Sequence, residues 1–218
     1  MTSTADDALL AALRSRMVAG QLRDRGIADE RVLQAMGRVP RHEFVGDGDR
    51  DQAYEDYPLP IGAGQTISQP YMVGLMLEVL ELTPAERVLE VGTGSGYATA
   101  LLAELAKEVV SVERHPSLAA RSTELLARLG YTNLRVIVGD GALGYPAGAP
   151  YKAILVSAAA PEVPPALLAQ LAEGGRMVIP VGLADSQQLL LIHVREGQPR
   201  ITFREMCRFV PLVSGIGS

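Results

Sequence analysis

The chain has 218 residues, with 20 lysines and arginines against 25 aspartates and glutamates, which gives a formal net charge of −5. That length predicts a single domain with a substantial core. The negative charge and the lack of a long basic block argue against a nucleic-acid-binding surface. Cys207 is the only cysteine, which excludes a disulfide framework and a cysteine-based metal site and favours a reducing cytoplasm.

Signals for export or membrane insertion are not predicted. The segment Met1–Asp7 is polar and acidic rather than basic and then apolar, so we do not expect a signal peptide. No apolar run reaches the roughly 20 residues that a membrane helix requires. We therefore expect no membrane partner. A monomer is also expected.

Residues 1–60 are expected to form a helical and irregular extension. Apolar residues recur at helical spacing from Leu9 to Leu22, which predicts a helix through about the first 25 residues. Asp29 suits the N-cap of a second, short helix that ends at Gly37. Residues 46–64 are rich in Gly, Asp and Pro and are predicted to be irregular, either as a lid or as a connector.

Residues 61–218 are expected to form an α/β core. A helix is predicted from Pro70 to about Leu82, followed by strands over 87–91, 109–113, 134–139, 152–157 and 176–181 and helices over 96–106, 116–129 and 164–172. This alternation predicts a doubly wound, mostly parallel sheet with helices on both faces. Residues 187–218 hold two strand patterns and no helix, which predicts an antiparallel hairpin at one edge of the sheet.

Arg87–Tyr97 is the most informative segment. A short apolar strand ends at a turn containing Gly92, Gly94 and Gly96, and a helical pattern follows. This order places the free N–H groups of a helix N-terminus at the end of a strand, where they can hold a negatively charged group. Glu113 closes the next strand, where it could accept hydrogen bonds from ribose hydroxyls.

The spacing of these glycines narrows the choice of ligand. They read G-x-G-x-G, whereas the dinucleotide fingerprint is G-x-G-x-x-G. The spacing favours S-adenosylmethionine over a nicotinamide dinucleotide, with the helix N-terminus receiving the methionine carboxylate. A nicotinamide-dependent dehydrogenase and a non-catalytic binding module with the same fold remain the alternatives.

The positions of polar residues relative to the strands indicate which of them face a ligand, because ligands of such sheets bind beyond the carboxyl ends of the strands. Glu113 and Asp140 follow strands at that edge, so both can face the cofactor. Lys152 begins its strand and is expected on the opposite rim. His115 is interpreted as a solvated helix-capping residue and His193 as structural.

A rarer segment is Pro58–Val73, which reads PLPIGAGQTISQPYMV. Together with residues 88–97 (VLEVGTGSGY), 139–141 (GDG) and 208–213 (RFVPLV), it resembles the protein-L-isoaspartate O-methyltransferases. Residues 39–45 (VPRHEFV) and 174–182 (GGRMVIPVG) are similar to that family as well. The resemblance spans roughly Met17 to Val213 and implies a Rossmann-like methyltransferase sheet.

The resemblance also implies an activity: methyl transfer from S-adenosylmethionine to the side-chain carboxyl group of L-isoaspartyl residues in damaged peptides and proteins, with S-adenosylhomocysteine as product. It implies that Ser68 is catalytic and that Thr66, Ser68 and the segment Val210, Pro211, Leu212 and Val213 bind the substrate. It implies no metal. A related methyltransferase that acts on another peptide carboxylate remains the alternative.

The residues that the resemblance implies for the cofactor come from the loop before the helix at Pro70, from the glycine loop and from two strand ends. They are Gln65, Thr66, Ile67, Ser68, Glu90, Gly92, Thr93, Gly94, Ser95, Gly96, Tyr97, Glu113, Arg114, Asp140 and Gly141.

Local sequence leaves a second interpretation of Ser68 open. The residue lies two positions before a proline that opens a helix, so it could be an N-cap. The chain also departs from the family in two places: it has Lys152 where an acidic residue is usual, and Ser157 where Thr is common. The second departure keeps a hydroxyl group.

Overall fold

A seven-stranded sheet organises the chain in the computed structural model, which describes residues 4–183 and 186–217. Residues 1–3, with which the segment Met1–Asp7 begins, lie outside the described part, as do residues 184–185 and 218, which belong to the predicted C-terminal region. The sheet strands are β3 (Arg87–Val91), β4 (Glu108–Glu113), β5 (Leu134–Val138), β6 (Tyr151–Val156), β7 (Leu171–Leu183), β8 (Ser186–Arg195) and β9 (Gln198–Cys207).

The strand order is β5-β4-β3-β6-β7-β8-β9. The first five of these neighbours pair in parallel, and β8 and β9 add to the edge in antiparallel register. The predicted parallel sheet with an antiparallel C-terminal hairpin is thereby confirmed. Successive strands are added on one side of β3 as β4 and β5 and on its other side as β6 and β7. This reversal of strand order creates the switch point where such sheets bind ligands.

The helices are α1 (Thr4–Arg16), α2 (Glu30–Arg38), α3 (Pro70–Val79), α4 (Tyr97–Leu105), α5 (Pro116–Arg128) and α6 (Pro165–Leu168). Alternate residues of the strands pack into two buried clusters. Val88 of β3 packs with residues of α2, α3, α4 and α5, whereas its neighbour Leu89 packs in a second cluster that includes Leu167 of α6. This alternation follows from the two-residue period of a strand. Within the described residues, no helix is long and apolar enough to cross a membrane.

Two predicted helix boundaries are wrong, each because a side chain or a backbone conformation ends the helix early. The helix predicted over 164–172 ends at Leu168, because the Gln170 side chain donates to the carbonyl oxygens of Ala166 and Leu143 (2.8 Å each) and β7 begins at Leu171. The helix from Pro70 ends three residues short of Leu82, where Glu81 adopts a φ of +46°.

The N-terminal helical segment reaches Arg25, as predicted, but it is not α-helical throughout. It is an α-helix to Arg16, a π-helical turn over Met17–Leu22 and then a 3-10 turn closed by Gly26, whose φ is +97°. The second helix follows the prediction at its start, because Asp29 accepts a hydrogen bond from the Arg31 N–H (2.8 Å).

The segment predicted to be irregular contains a short strand. β1 (Leu59–Gly62) pairs antiparallel with β2 (Gln65–Ile67), and Leu59 lies opposite Ile67. Gly62, Ala63 and Gly64 all have positive φ values, so they turn the chain within a few residues. Ser68, which lines the pocket described next, directly follows this small hairpin.

Candidate active site

A pocket opens at the carboxyl ends of β3, β4 and β6, with ≈ 890 Å³ of space that is partly open to solvent. Most of the residues that the sequence predicts for the site line it: Gln65, Thr66, Ile67, Ser68, Gly92, Thr93, Gly94, Ser95, Tyr97, Glu113, Arg114, Gly141, Val210, Pro211, Leu212 and Val213. Segments distant in sequence therefore meet at the predicted edge of the sheet.

The glycine loop between β3 and α4 requires its glycines. Gly92, Gly94 and Gly96 have φ values of 91°, 53° and 91°, a region that residues with a Cβ atom seldom adopt. A Cβ at Gly94 would lie 3.2 Å from the side chain of Ile61 in β1. The loop backbone can therefore approach a ligand closely while it packs under the β1–β2 hairpin.

Glu113 fixes this loop from the neighbouring strand. Its side chain is 4% exposed; one carboxylate oxygen accepts from the Gly94 N–H (2.9 Å) and the other from the His115 N–H (2.9 Å). Each oxygen keeps a further lone pair. The carboxylate thus holds the glycine loop and the start of α5 in place while it lines the pocket.

Glu90 is predicted among the cofactor residues, but it does not line the pocket. It is fully buried beneath the glycine loop, where one carboxylate oxygen accepts from Thr99 (2.5 Å) and Ser111 (2.6 Å). Burial raises the pKa of this carboxyl to about 7. Because Ser111 is also 2.5 Å from the Thr93 hydroxyl, Glu90 supports the loop through a buried network.

Gly96 and Asp140 are two more predicted residues outside the pocket wall. A Cβ at Gly96 would lie 3.2 Å from Ser122 of α5, so this glycine faces the packed helix. The Asp140 carboxylate accepts from the N–H groups of Ala142 (2.9 Å) and Gly215 (2.7 Å). It therefore anchors the C-terminal segment, while its neighbour Gly141 reaches the pocket.

Ser68 lines the other end of the pocket. The same residue also lines a smaller cavity, together with Ser157, Arg208 and Val210. No hydrogen bond of the Ser68 hydroxyl is found within the described residues, and the N-cap of α3 is Gln69, which makes no side-chain capping bond. The interpretation of Ser68 as an N-cap is therefore wrong, and its hydroxyl is available in the pocket.

The C-terminal segment 210–213 is fixed across the pocket by backbone bonds. The Ala159 N–H donates to the carbonyl of Val210 (2.8 Å), and the Leu212 N–H donates to the carbonyl of Ala159 (2.7 Å). The buried Gln187 side chain accepts from the N–H of Phe209 (2.6 Å) and donates to its carbonyl (3.1 Å). These bonds hold the segment opposite Ser68.

His115 corrects the sequence interpretation. It begins α5 as expected, but its side chain is only 8% exposed and lines the pocket. The solvated interpretation is wrong because the C-terminal backbone covers the ring: the Gly217 N–H donates to the Arg114 carbonyl (2.8 Å). No local signal in the sequence indicates this contact, since Gly217 lies about a hundred residues further along the chain.

The remaining polar candidates lie away from the pocket. Lys152 donates to the carbonyl of Glu173 (2.8 Å) at the start of its strand, on the opposite rim, as predicted. His193 lies in β8 opposite Arg176 and does not line the pocket.

Comparisons with known proteins agree with this geometry. The sequence profile described as "Protein-L-isoaspartate(D-aspartate) O-methyltransferase (PCMT)" matches residues 13–217. A protein-L-isoaspartate O-methyltransferase of Koribacter versatilis is 54% identical over 204 residues, covering 94% of this chain and 92% of that protein. One from Methanoculleus marisnigri is 56% identical over 205 residues, covering 94% and 93%.

Two solved structures share the fold. A protein-L-isoaspartate O-methyltransferase has a TM-score of 0.84 at 29% identity, covering 94% of this chain and 67% of that chain. A putative one from Plasmodium falciparum, in complex with S-adenosyl-L-homocysteine, has a TM-score of 0.80 at 28% identity, covering 92% and 98%. These matches favour the methyltransferase prediction over the dehydrogenase alternative.

Proposed function

This chain belongs to the protein-L-isoaspartate(D-aspartate) O-methyltransferase family, and from that premise we propose how its pocket divides the reaction between a cofactor end and a reaction end. The enzyme transfers a methyl group from S-adenosylmethionine to the free carboxylate of L-isoaspartyl residues in damaged peptides and proteins. One observation carries the proposal: Ser68 and Glu113, from distant parts of the chain, line the same pocket as the glycine loop.

The cofactor end fits S-adenosylmethionine. A side chain at Gly94 would fill space against Ile61, so the glycine leaves the loop backbone and the N-terminus of α4 open to a carboxylate. Glu113 would hold the ribose through its remaining lone pairs, and Gly141 would border the adenine, where a Cβ would approach Val91 to 2.6 Å.

The reaction needs alignment more than acid–base chemistry. When bound, S-adenosylmethionine supplies the sulfonium methyl group that becomes the methyl ester, leaving S-adenosylhomocysteine. A carboxyl group with a pKa of about 4 is ionised at neutral pH, so the protein need not supply a general base. Orienting the reactants is worth ~7–11 kcal/mol when the geometry is right. Apolar wall residues such as Val73, Met76 and Leu155 exclude water, which favours a transition state in which opposite charges are neutralised.

Ser68 would orient the substrate. Its hydroxyl has no partner among the described residues, so it can donate a hydrogen bond to one oxygen of the substrate carboxylate and leave the other oxygen free to attack. Thr66 and the segment 210–213 would contact the backbone of the substrate and close the reaction end. Ser157 and Val210 line the same smaller cavity as Ser68.

A labelling experiment tests the proposed function. An isoaspartyl peptide and its aspartyl twin are each incubated with methyl-tritiated S-adenosylmethionine, and base-labile methyl ester is counted. We expect label only in the isoaspartyl peptide. Equal labelling of both peptides would indicate a methyltransferase for other peptide carboxylates, and no labelling of either would indicate a non-catalytic binding module.

We also propose that the chain acts as one domain and as a monomer in the cytoplasm, without binding nucleic acid. In support of one domain, one buried cluster includes residues from Leu10 to Leu189. The net charge of −5 and the single cysteine are consistent with the last two points. Light scattering after size exclusion would measure the mass: a dimer contradicts the monomer.

A further inference from the structure

Arg41 is a fully buried charged side chain near the pocket, and the proposed reaction leaves it without a role. It lies in the 3-10 turn Arg41–Phe44, within the family-like segment 39–45, and its exposed fraction is 0%. It does not line the pocket. None of the ion pairs among the described residues includes it. Burial of a charge without a carboxylate partner is costly, so its surroundings should indicate what it does.

The guanidinium connects three segments at the reaction end. Its Nε donates to the Ala53 carbonyl (2.7 Å) and its Nη2 donates to the Ser68 carbonyl (2.8 Å). Its Cζ lies 4.9 Å from the centroid of the Tyr97 ring, the first residue of α4 and part of the pocket wall. Phe44 of the same turn packs edge-on against that ring, with 5.5 Å between centroids.

The charge persists in this environment. Desolvation lowers the pKa of Arg41 to about 10, so the side chain stays protonated at neutral pH. A planar, charged fork that donates to two carbonyl groups fixes both of them in one orientation. Ser68 lies outside both β2 and α3, so this contact fixes a residue that belongs to neither element.

A second buried arginine, Arg176, has the carboxylate partner that Arg41 lacks. Arg176 is 7% exposed and also donates to backbone carbonyls, those of Leu80, Glu81 and Lys152, but it pairs with both oxygens of Glu86 at 2.8 Å. This cluster lies on the opposite rim of the sheet. Arg176 therefore resembles Arg41 in burial and carbonyl bonding but has no contact with the pocket.

We propose that Arg41 is a positioning residue for methyl transfer: its guanidinium holds the Ser68 carbonyl, and thereby sets where the Ser68 hydroxyl meets the substrate carboxylate. The proposal rests on the proposed role of Ser68. A displacement of the hydroxyl by about an ångström would misalign the attacking oxygen. Lysine in this place would keep the charge but lose the fork, so it could not hold the carbonyls of Ala53 and Ser68 together.

The test compares Arg41→Lys and Arg41→Met with the matched control Arg176→Met. Each variant is assayed below its own melting temperature for kcat and KM on the isoaspartyl peptide and, by calorimetry, for affinity to S-adenosylhomocysteine. We expect kcat to fall by roughly ten- to a hundredfold in both Arg41 variants, with cofactor affinity nearly unchanged. Arg176→Met should lose stability but keep its kcat per folded molecule. Wild-type kcat in Arg41→Lys, or an equal loss in Arg176→Met, overturns the proposal.

Two further measurements separate positioning from a general loss of folding. Guanidinium added to Arg41→Ala should restore part of the lost turnover, and it should restore none in Ser68→Ala. In a double-mutant cycle, Arg41→Lys should cost far less turnover when Ser68 is already alanine. Additive losses would show that Arg41 does not act through Ser68. If Ser68→Ala alone keeps full turnover, the proposed role of Ser68 fails, and a fall in Arg41→Lys would then require another explanation.

Discussion

The cofactor end and the reaction end of the pocket are built in different ways. The cofactor end consists of a strand, a turn and a helix that follow one another in sequence, with Glu113 added from the next strand. The reaction end combines Ser68, Ser157 and Val210, which are far apart in the chain, and Arg41 and Gln187 hold its backbone from outside. The first end is fixed by local backbone geometry, and the second depends on long-range hydrogen bonds.

If this contrast is correct, a substitution at one end should leave the other end working. Ser68→Ala is the most severe test. Turnover on an isoaspartyl peptide should fall roughly a hundredfold or more, because the carboxylate loses the group that orients it. Affinity for S-adenosylhomocysteine, measured by calorimetry, should stay within about twofold, a change too small to count as lost binding. Unchanged turnover would remove Ser68 from the reaction.

Glu113→Ala makes the same test at the cofactor end. It removes the acceptor for the N–H groups of Gly94 and His115, and hydrogen bonds to charged groups are worth about 1.5–3 kcal/mol. We expect S-adenosylhomocysteine to bind roughly ten- to a hundredfold more weakly. Glu108→Ala, at the start of the same strand and on the opposite rim, is the control. Equal affinity in Glu113→Ala would exclude this carboxylate from the cofactor site.

A smaller effect is expected from Gln187→Ala, which loosens the segment opposite Ser68. The change removes two hydrogen bonds to Phe209, each worth about 1 kcal/mol, so KM for the peptide should rise roughly three- to tenfold. Gln188, the next residue along β8, is exposed and gives the matched control Gln188→Ala. If cofactor affinity falls and KM for the peptide does not change, the segment supports the cofactor end of the pocket and not the reaction end.

The same contrast explains what could be predicted from sequence. The central strands and the glycine loop follow from apolar periodicity and glycine spacing, and the structure has them within a few residues of the predicted bounds. Predictions from local sequence were wrong where residues distant in the chain determine the structure. The Gln170 side chain ends α6, pairing with β2 makes β1 a strand, and the C-terminal backbone covers His115. Arg41 has no signal beyond a resemblance of its segment to the family.

Glu90 offers the mildest test, because it supports the cofactor end without touching the pocket. Burial raises the pKa of this carboxyl from 4.5 to about 7, so the folded state holds a proton that the unfolded chain releases earlier. The stability that the protonated Glu90 contributes is complete below about pH 4.5 and is lost as pH rises through 7. The total loss is roughly 3 kcal/mol of unfolding free energy. Chemical denaturation from pH 4 to 8 measures this slope.

Glu90→Gln should flatten that slope, because the amide is neutral at every pH. The variant should therefore gain stability over the wild type as pH rises from 5 to 8, while turnover at a fixed pH changes little because the pocket wall is intact. The exposed Glu124→Gln on α5 is the control and should run parallel to the wild type. If Glu90→Gln also runs parallel, Glu90 is ionised in the folded protein, and the network of Thr99 and Ser111 holds a buried carboxylate instead.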